Sequence, residues 1–452
     1  MKDYSINSEF VVRLDEKIQS LIAKGVATQD DEVFNELALM EFELQYHSIK
    51  AYRELCDNQG VTPDNVRSWD EIPAGPSELF KKTLVAAFPL SETELTIMTS
   101  GTSNPNAPSK IFRDKRCVDM YYRANAVMTK EYLFPDVDRM KLLLMVPSPK
   151  VAPSMGMAIG LEQLRQNFGT EDSRYLISPA GMEWELLFSA LHEAEEAGEP
   201  VAIVGATSGL VFLFNFCQEH GLSFQLPPGS RICDGGGYLG TFGECSREHY
   251  LELCAKVMGV PAEFCVNTLG SGESTTNYFD NVLRNHWLGK TGIPRYKECP
   301  PWTRTIVVDP RTGRRLPKGE VGLIRHYDLV NRANLLVVQT NNLGYEIEDG
   351  FEIIGRADAR DKGTTTFLNR MISGLETCST VADGMLAEGQ SCSTVADRML
   401  AEGRSCSTVA DDMLARSPHG GKFANIPPER LEKLKKMCPF LQLKGLLNKK
   451  SR

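Results

Sequence analysis

The sequence predicts an α/β fold: a large body with mostly parallel sheet layers, a β-rich part after about residue 300, and a short helical or mobile C-terminal tail. Three observations lead there. Short apolar runs, KLLLMVP (141–147), VAIVGATSG (201–209) and RICDGGG (231–237), alternate with amphipathic stretches such as EWELLFSALHEAEEAG (183–198) and REHYLELCAKVMG (247–259). Strands that are apolar on both faces and separated by helices belong to a parallel sheet covered on both sides. After residue 300 the runs RTIVVD (304–309), VGLIRHYDL (321–329), ANLLVVQT (333–340) and FEIIGR (351–356) are separated by turn chemistry, PRTGRR and PKGE among it. From about residue 371 the chain changes style again, into a threefold repeat and a basic end.

Upstream of the body, residues 8–57 place apolar side chains at helical spacing with charged faces between, as in FNELALMEFELQYHSIKAYREL, and read as two helices. A proline-containing connector, IPAGPSELF (72–80), follows. The expected division is a helical region over 1–82, a body over 83–363 and a tail over 364–452. Residues 422–452 carry nine Lys and Arg against two Glu, which suits a solvated tail or terminal helix, or a docking patch for an acidic partner.

Composition narrows the function. The 452 residues are 42% apolar and 24% charged, ordinary for a globular protein. A formal charge of -9 argues against a nucleic-acid binder that works through phosphate contacts. The apolar run GLVFLFNFC (209–217) is too short to span a bilayer, and MKDYSINSEFVVRLDEK lacks the apolar core of a secretory signal, so a cytoplasmic location is expected. Twelve scattered cysteines and seven dispersed histidines, with no CxxC or HxxxH, fit neither a disulfide scaffold nor a zinc site.

Four stretches carry chemistry. In TSGTSNPNAPSK (99–110), glycine-freed N–H groups and the hydroxyls of Thr99, Ser100, Thr102 and Ser103 around Gly101 can wrap phosphate oxygens, with Lys110 as a point charge. The plain alternative is a Ser/Thr-rich surface loop. In SRICDGGGYLG (230–240), Gly235, Gly236 and Gly237 end a strand and let a flat ligand approach the backbone; an ordinary strand exit would read the same way. In NTLGSGESTTNYF (267–279), Glu273 follows a Gly-Ser-Gly turn opened by Gly270, where a carboxylate can hold Mg²⁺ beside phosphates. Finally, QTNNLGYEIEDG (339–350) offers polar groups at a strand end that can reach ribose hydroxyls, and GRADARDKG (355–363) sets Arg356 and Lys362 about a turn that faces phosphate or acts as a hinge.

In this order and spacing the motifs resemble those of the adenylate-forming, acyl-CoA synthetase-like superfamily. TSGTS…K resembles its phosphate loop, DGGGY its adenine-side turn, and LGSGE (269–273) its aromatic-Gly-x-Thr-Glu motif, with Leu269 at the aromatic and Gly272 at the threonine position. TNNLG resembles its ribose motif, with Asn342 where an aspartate is usual, and GRADARDKG its hinge. The lead-in over 42–82 is similar to that of the acyl-protein synthetase (LuxE-type) branch, and the resemblance spans about residues 30–363. It implies ATP-dependent activation of a carboxylic acid, a fatty acid in that branch, as acyl-AMP with Mg²⁺, transfer to a cysteine of the protein itself, and delivery to a partner reductase of the acyl-CoA reductase kind. An acyl- or aryl-CoA ligase with a degenerate C-terminal domain, and a non-catalytic scaffold keeping the fold, are the alternatives. Residues 205–216, GATSGLVFLFNF, read as a buried helix after a strand, or else as a wall of an acyl tunnel.

The repeat supplies candidate thiols. CSTVAD recurs with Cys378, Cys392 and Cys406 spaced by 14. Thr380, Thr394 and Thr408 stand three residues before Asp383, Asp397 and Asp411, a capping arrangement, and V-A-D-x-M-L-A suits a short helix. A cysteine just before a helix N-terminus is favoured as thiolate. Cys378 lies 15 residues beyond Gly363, within reach of about 50 Å of extended chain. Either the repeat is an acyl-accepting arm, with Cys378 the first candidate, or it is a duplication beside the site.

Overall fold

Three helices open the chain in the computed structural model, which describes residues 2–27, 29–98, 109–237, 239–240, 243–357 and 371. They are α1 (Glu9–Ala23), α2 (Asp31–Ser48) and α3 (Lys50–Asn58). Ser8 and Asp30 cap the first two, each accepting the backbone N–H three residues on. The two-helix reading of 8–57 is corrected, because the backbone is extended at Ile49 (φ -108°, ψ 101°). Ile49 is itself buried, so the apolar pattern runs across the break without showing it.

Strand β1 (Gly75–Pro76) precedes an antiparallel hairpin of β2 (Thr93–Met98) and β3 (Lys110–Asp114), which flanks residues 99–108. Helix α4 (Lys115–Tyr132) starts directly from β3, and the Asp114 carboxylate caps it by accepting the N–H groups of Arg116 and Cys117. The first large sheet follows from β4 (Lys141–Met145), β5 (Arg174–Tyr175), β6 (Val201–Ala206), β7 (Arg231–Gly235), β8 (Cys265–Leu269) and β9 (Tyr278–Phe279). Their spatial order is β9-β8-β7-β6-β4-β5, parallel throughout except at the β8–β9 edge. Central β6 is buried at every position, the continuous apolar run that a two-sided sheet demands.

Between these strands run α5 (Gly156–Phe168), α6 (Trp184–Ala197), α7 (Thr207–Glu219) and α8 (Arg247–Met258). Gly198 and Gly259, at φ 68° and 70°, end α6 and α8 in the left-handed conformation that glycine adopts without strain. Helix α7 is apolar on most sides, with Leu210, Phe212, Leu213, Phe214 and Phe216 buried.

The second sheet holds β10 (Lys297–Glu298), β11 (Thr303–Val308), β12 (Gly322–Asp328), β13 (Val337–Ile347) and β14 (Gly350–Arg356), in the order β10-β14-β13-β12-β11. It is antiparallel, as the closely spaced strands and turns after residue 300 require, and β1 joins it alongside β13. Strand β13 starts at Val337, four residues later than expected, and runs on to Ile347. Residues just before it are held elsewhere: Asn331 Nδ2 donates to Leu335 O and Asn334 Nδ2 to Phe112 O. The N-terminal helices and both sheets share one contiguous apolar core.

Candidate active site

The C-terminal ends of β6, β7 and β8 open onto a cavity of about 310 Å³, reached by Val204 and Gly205, by Cys233, Gly235 and Gly236, and by Thr268. In an open parallel sheet this is the edge where strands stop and ligands fit. The facing wall is largely apolar, with Tyr121 and Tyr122 from α4 and Met157, Leu161, Leu164 and Phe168 from α5.

The segment 270–277, carrying Glu273, forms the polar border. Three separate elements hold it. From β3, Arg113 Nη2 donates to Gly272 O at 3.2 Å and to Thr275 Oγ1 at 3.1 Å. From α4, Asn125 Oδ1 accepts the N–H of Asn277 at 2.8 Å and its Nδ2 donates to Thr275 O at 3.0 Å. From the end of β12 and the short helical turn after it, Asp328 Oδ2 accepts the N–H groups of Thr275 and Thr276 at 3.0 and 2.7 Å, and Asn331 Nδ2 donates to Glu273 O at 2.8 Å. Burial pushes the Asp328 carboxyl upward against the lowering effect of those bonds. A loop fixed at both flanks presents the half-buried Glu273 carboxylate with little reorganisation left to make.

The glycine turn after β7 is tied from below. Thr207 Oγ1 and Asn267 Nδ2 both donate to Asp234 Oδ2 at 2.7 Å, and Asn267 Nδ2 also reaches Gly236 O at 3.2 Å. Gly236 has φ 116°, which a side chain would strain, and no heavy atom lies within 4 Å of where a Gly237 Cβ would be. The turn therefore leaves an open backbone face.

Burial, only partly opposed by its two hydrogen bonds, pushes the Asp234 carboxyl up to about 6 from 3.8. A folded-state value above the unfolded one gives stability that is full below the unfolded value and is lost as pH rises through the folded value. Wild-type stability is therefore expected to fall between about pH 4 and 6 through this group. Asp234→Asn, whose side-chain oxygen can accept both donors, is expected to flatten that slope. Urea unfolding midpoints at stepped pH read it, and parallel slopes in the two proteins would refute the assignment.

Of the candidate residues, the structure brings Glu273, Gly235, Gly236, Gly270 and Arg356 together around the cavity. Lys110 lies across the hairpin from Met98 and is not in the cavity lining, and neither is Gly237. Asn342 pairs in register with Arg356 and sits within β13 rather than at a strand end. Of the stretch 205–216, Gly205 alone lines the cavity; Ala206 ends β6, and 207–216 belong to the largely buried α7 helix. Thr99, Ser100, Gly101, Thr102, Ser103, Lys362, Cys378, Cys392 and Cys406 lie outside the described residues. Sequence reading missed Arg113, Asn125, Asp328 and Asn331; the one local signal was a charged residue inside the strand run KIFRD.

For a metal, Glu273 is the relevant donor, since no group of three or more His, Cys, Asp or Glu suited to an ion occurs among the described residues. A lone carboxylate beside substrate phosphates fits Mg²⁺, which keeps waters and takes one or two carboxylates, and does not fit an all-protein cage.

A family model described as acyl-protein synthetase, LuxE, matches residues 14–372. A long-chain-fatty-acid–luciferin-component ligase of Vibrio harveyi is 21% identical over 80% of this chain and 92% of its own length. The ligase of the same name from Aliivibrio fischeri is 20% identical over 70% of this chain and 80% of its own. Among solved structures, an open conformation of 2-hydroxyisobutyryl-CoA ligase aligns with a TM-score of 0.54 at 14% identity, covering 74% of this chain and 77% of that one. That likeness is one of fold, the fold of the adenylate-forming ligases.

Proposed function

The chain belongs to the acyl-protein synthetase (LuxE) family of ATP-dependent ligases, and from that premise we propose that it activates a fatty acid as acyl-AMP and transfers the acyl group to one of its own cysteines, for delivery to a partner reductase. The observation that supports this best is a single cavity joining an apolar wall to the Glu273 loop and the Gly235–Gly236 turn. Such a cavity suits a substrate with an apolar chain and an acidic head that must meet a nucleotide. The names of the two relatives, both ligases of long-chain fatty acids, point to the same class of acid. Among the described residues no helix is long and apolar enough to cross a membrane.

In the first step a carboxylate oxygen of the acid attacks the α-phosphorus of ATP, and the bond to pyrophosphate breaks. In the second a cysteine thiolate attacks the acyl carbon and AMP leaves. Gly235, Gly236, Gly237 and Gly270 would admit the nucleotide's base side, Asn342 its ribose, and Thr99 to Ser103 with Lys110 and Arg356 its phosphates. Glu273 would hold Mg²⁺, which supplies positive charge opposite the phosphates. The fixed loop around Glu273 keeps that carboxylate in place while charge develops.

Acid-dependent exchange of labelled pyrophosphate into ATP tests the reading. Exchange is expected with fatty acids, and its failure with every chain length tried would overturn it. Glu273→Gln is expected to lower the exchange rate roughly 10²-fold, the size of losing one preorganised electrostatic group. A variant that folds and exchanges normally would remove Glu273 from the site.

A further inference from the structure

Arg113, Glu273 and Arg356 are the charged residues of the cavity lining. Arg356 is exposed and Glu273 half-buried, whereas Arg113 is only 1% exposed. Its partners use part of its capacity: Nη2 serves Gly272 O and Thr275 Oγ1, and the guanidinium lies 5.1 Å from the centroid of the Tyr121 ring. Nη1 is buried and has no hydrogen-bond partner. Asp328, the carboxylate that acts on Arg113 electrostatically, is already engaged by the N–H groups of Thr275, Thr276 and Val330. A buried donor without a partner costs free energy unless something else supplies the acceptor.

Position narrows what that something is. Arg113 touches the Glu273 loop on one side, through Gly272, and an aromatic residue of the apolar wall on the other, through Tyr121. A triphosphate needs many donors and polar surroundings. A carboxylate at the head of an apolar chain needs one strong donor at such a junction, and the unpartnered Nη1 of a charged guanidinium supplies a charge-assisted one. We propose that Arg113 is the specificity-determining residue that receives the carboxylate of the substrate acid through Nη1, holding its oxygens beside the Glu273 loop with the chain along the Tyr121 wall.

The proposal rests on the reading of this cavity as the acid's site, but its test needs no ATP. Dodecanoate and dodecan-1-ol share a chain and differ in the head group. In titration calorimetry the full-length protein is expected to bind the acid roughly 10- to 100-fold more tightly than the alcohol, the range of one charge-assisted hydrogen bond. Arg113→Gln is expected to erase that preference by weakening the acid alone. Arg113→Lys, which keeps the charge but has a single nitrogen to share between Gly272 O, Thr275 Oγ1 and the acid, is expected to shrink it. No acid preference in the unaltered protein overturns the proposal, as does an equal loss for acid and alcohol in Arg113→Gln. Should Arg113→Gln fail to fold, a preference undiminished in Arg113→Lys overturns it as well. An intact acid preference without pyrophosphate exchange would count against the adenylation reading and leave Arg113 in its role.

Discussion

With Cys378, Cys392 and Cys406 all changed to serine, the protein is expected to lose its covalent acyl label completely while acid-dependent pyrophosphate exchange continues. The reason lies in the other thiols. Only the thiolate attacks an acyl carbon at a useful rate, and apolar burial opposes its formation. Eight cysteines fall among the described residues; seven are buried and Cys299 is partly so. Burial pushes Cys56 up to about 12 and Cys299 to about 11, and it raises Cys117, Cys217, Cys233, Cys245 and Cys254 as well. Cys233 lines the cavity, yet it is held well above the ordinary range and stays a thiol at neutral pH. The acceptor is then to be sought in the C-terminal segment, where Cys438 joins the three repeat cysteines. Labelled fatty acid and ATP, followed by denaturing electrophoresis with and without hydroxylamine, read the thioester directly. Single variants apportion the label among the copies. Label that persists in the triple variant would clear the repeat and leave Cys438 to be tested next.

Much of this site was legible because it is built from strand ends. Runs such as VAIVGA and RICDGGG announce where a buried strand stops, and residues at or just past the stop fall on the edge where the cavity opens. Glu273 and Gly235 were readable on that ground. What holds Glu273 was not: Arg113 lies 159 residues from Gly272 in the chain, Asn331 58 residues from Glu273, and Asp328 53 residues from Thr275. Nothing local in KIFRD or in HYDLVNRAN says that these polar residues converge on one loop. The same limit bears on β13, whose apolar run starts at Ala333 while a bond from Asn334 to the distant Phe112 O, with a local one from Asn331 to Leu335 O, holds the first residues out of the strand. It also bears on Arg332, which stands between two apolar runs with nothing local to mark it as buried and is fully buried.

Arg332→Met is expected to destabilise the protein by about 3–5 kcal/mol, the cost of leaving buried carboxylates without their partner. Arg332 Nε and Nη2 donate to the two oxygens of Asp15 at 2.8 and 3.1 Å, and Nη2 also reaches Asp114 Oδ1 at 3.0 Å. Arg116 supports Asp15 from the other side at 2.6 Å, so the carboxylate stranded by the substitution is chiefly Asp114. Burial, the largest single influence, would raise the Asp114 pKa, but Arg332 and the hydrogen bonds from Cys117 together outweigh it and the net value lies below 3.8. This group's contribution is therefore present above about pH 4 and is lost as pH falls through the depressed folded value. The deficit of Arg332→Met is accordingly expected to shrink as pH falls below about 4 and through that depressed value, where Asp114 takes up its proton. Adding Asp114→Asn should recover part of the loss at neutral pH, because an amide is cheaper to bury than an unpaired carboxylate. Urea unfolding of the single and double variants at two pH values measures both effects. A loss under about 1 kcal/mol, or one indifferent to pH, would show that the cluster is not the clamp its geometry indicates. The consequence for chemistry is direct. Asp15 belongs to α1, Asp114 caps α4 at the end of the hairpin around residues 99–108, and Arg332 follows Asn331, which bonds Glu273 O. One buried cation thus ties the N-terminal helices, the hairpin and the Glu273 loop into a single frame, and loosening it is expected to slow pyrophosphate exchange even where the protein remains folded.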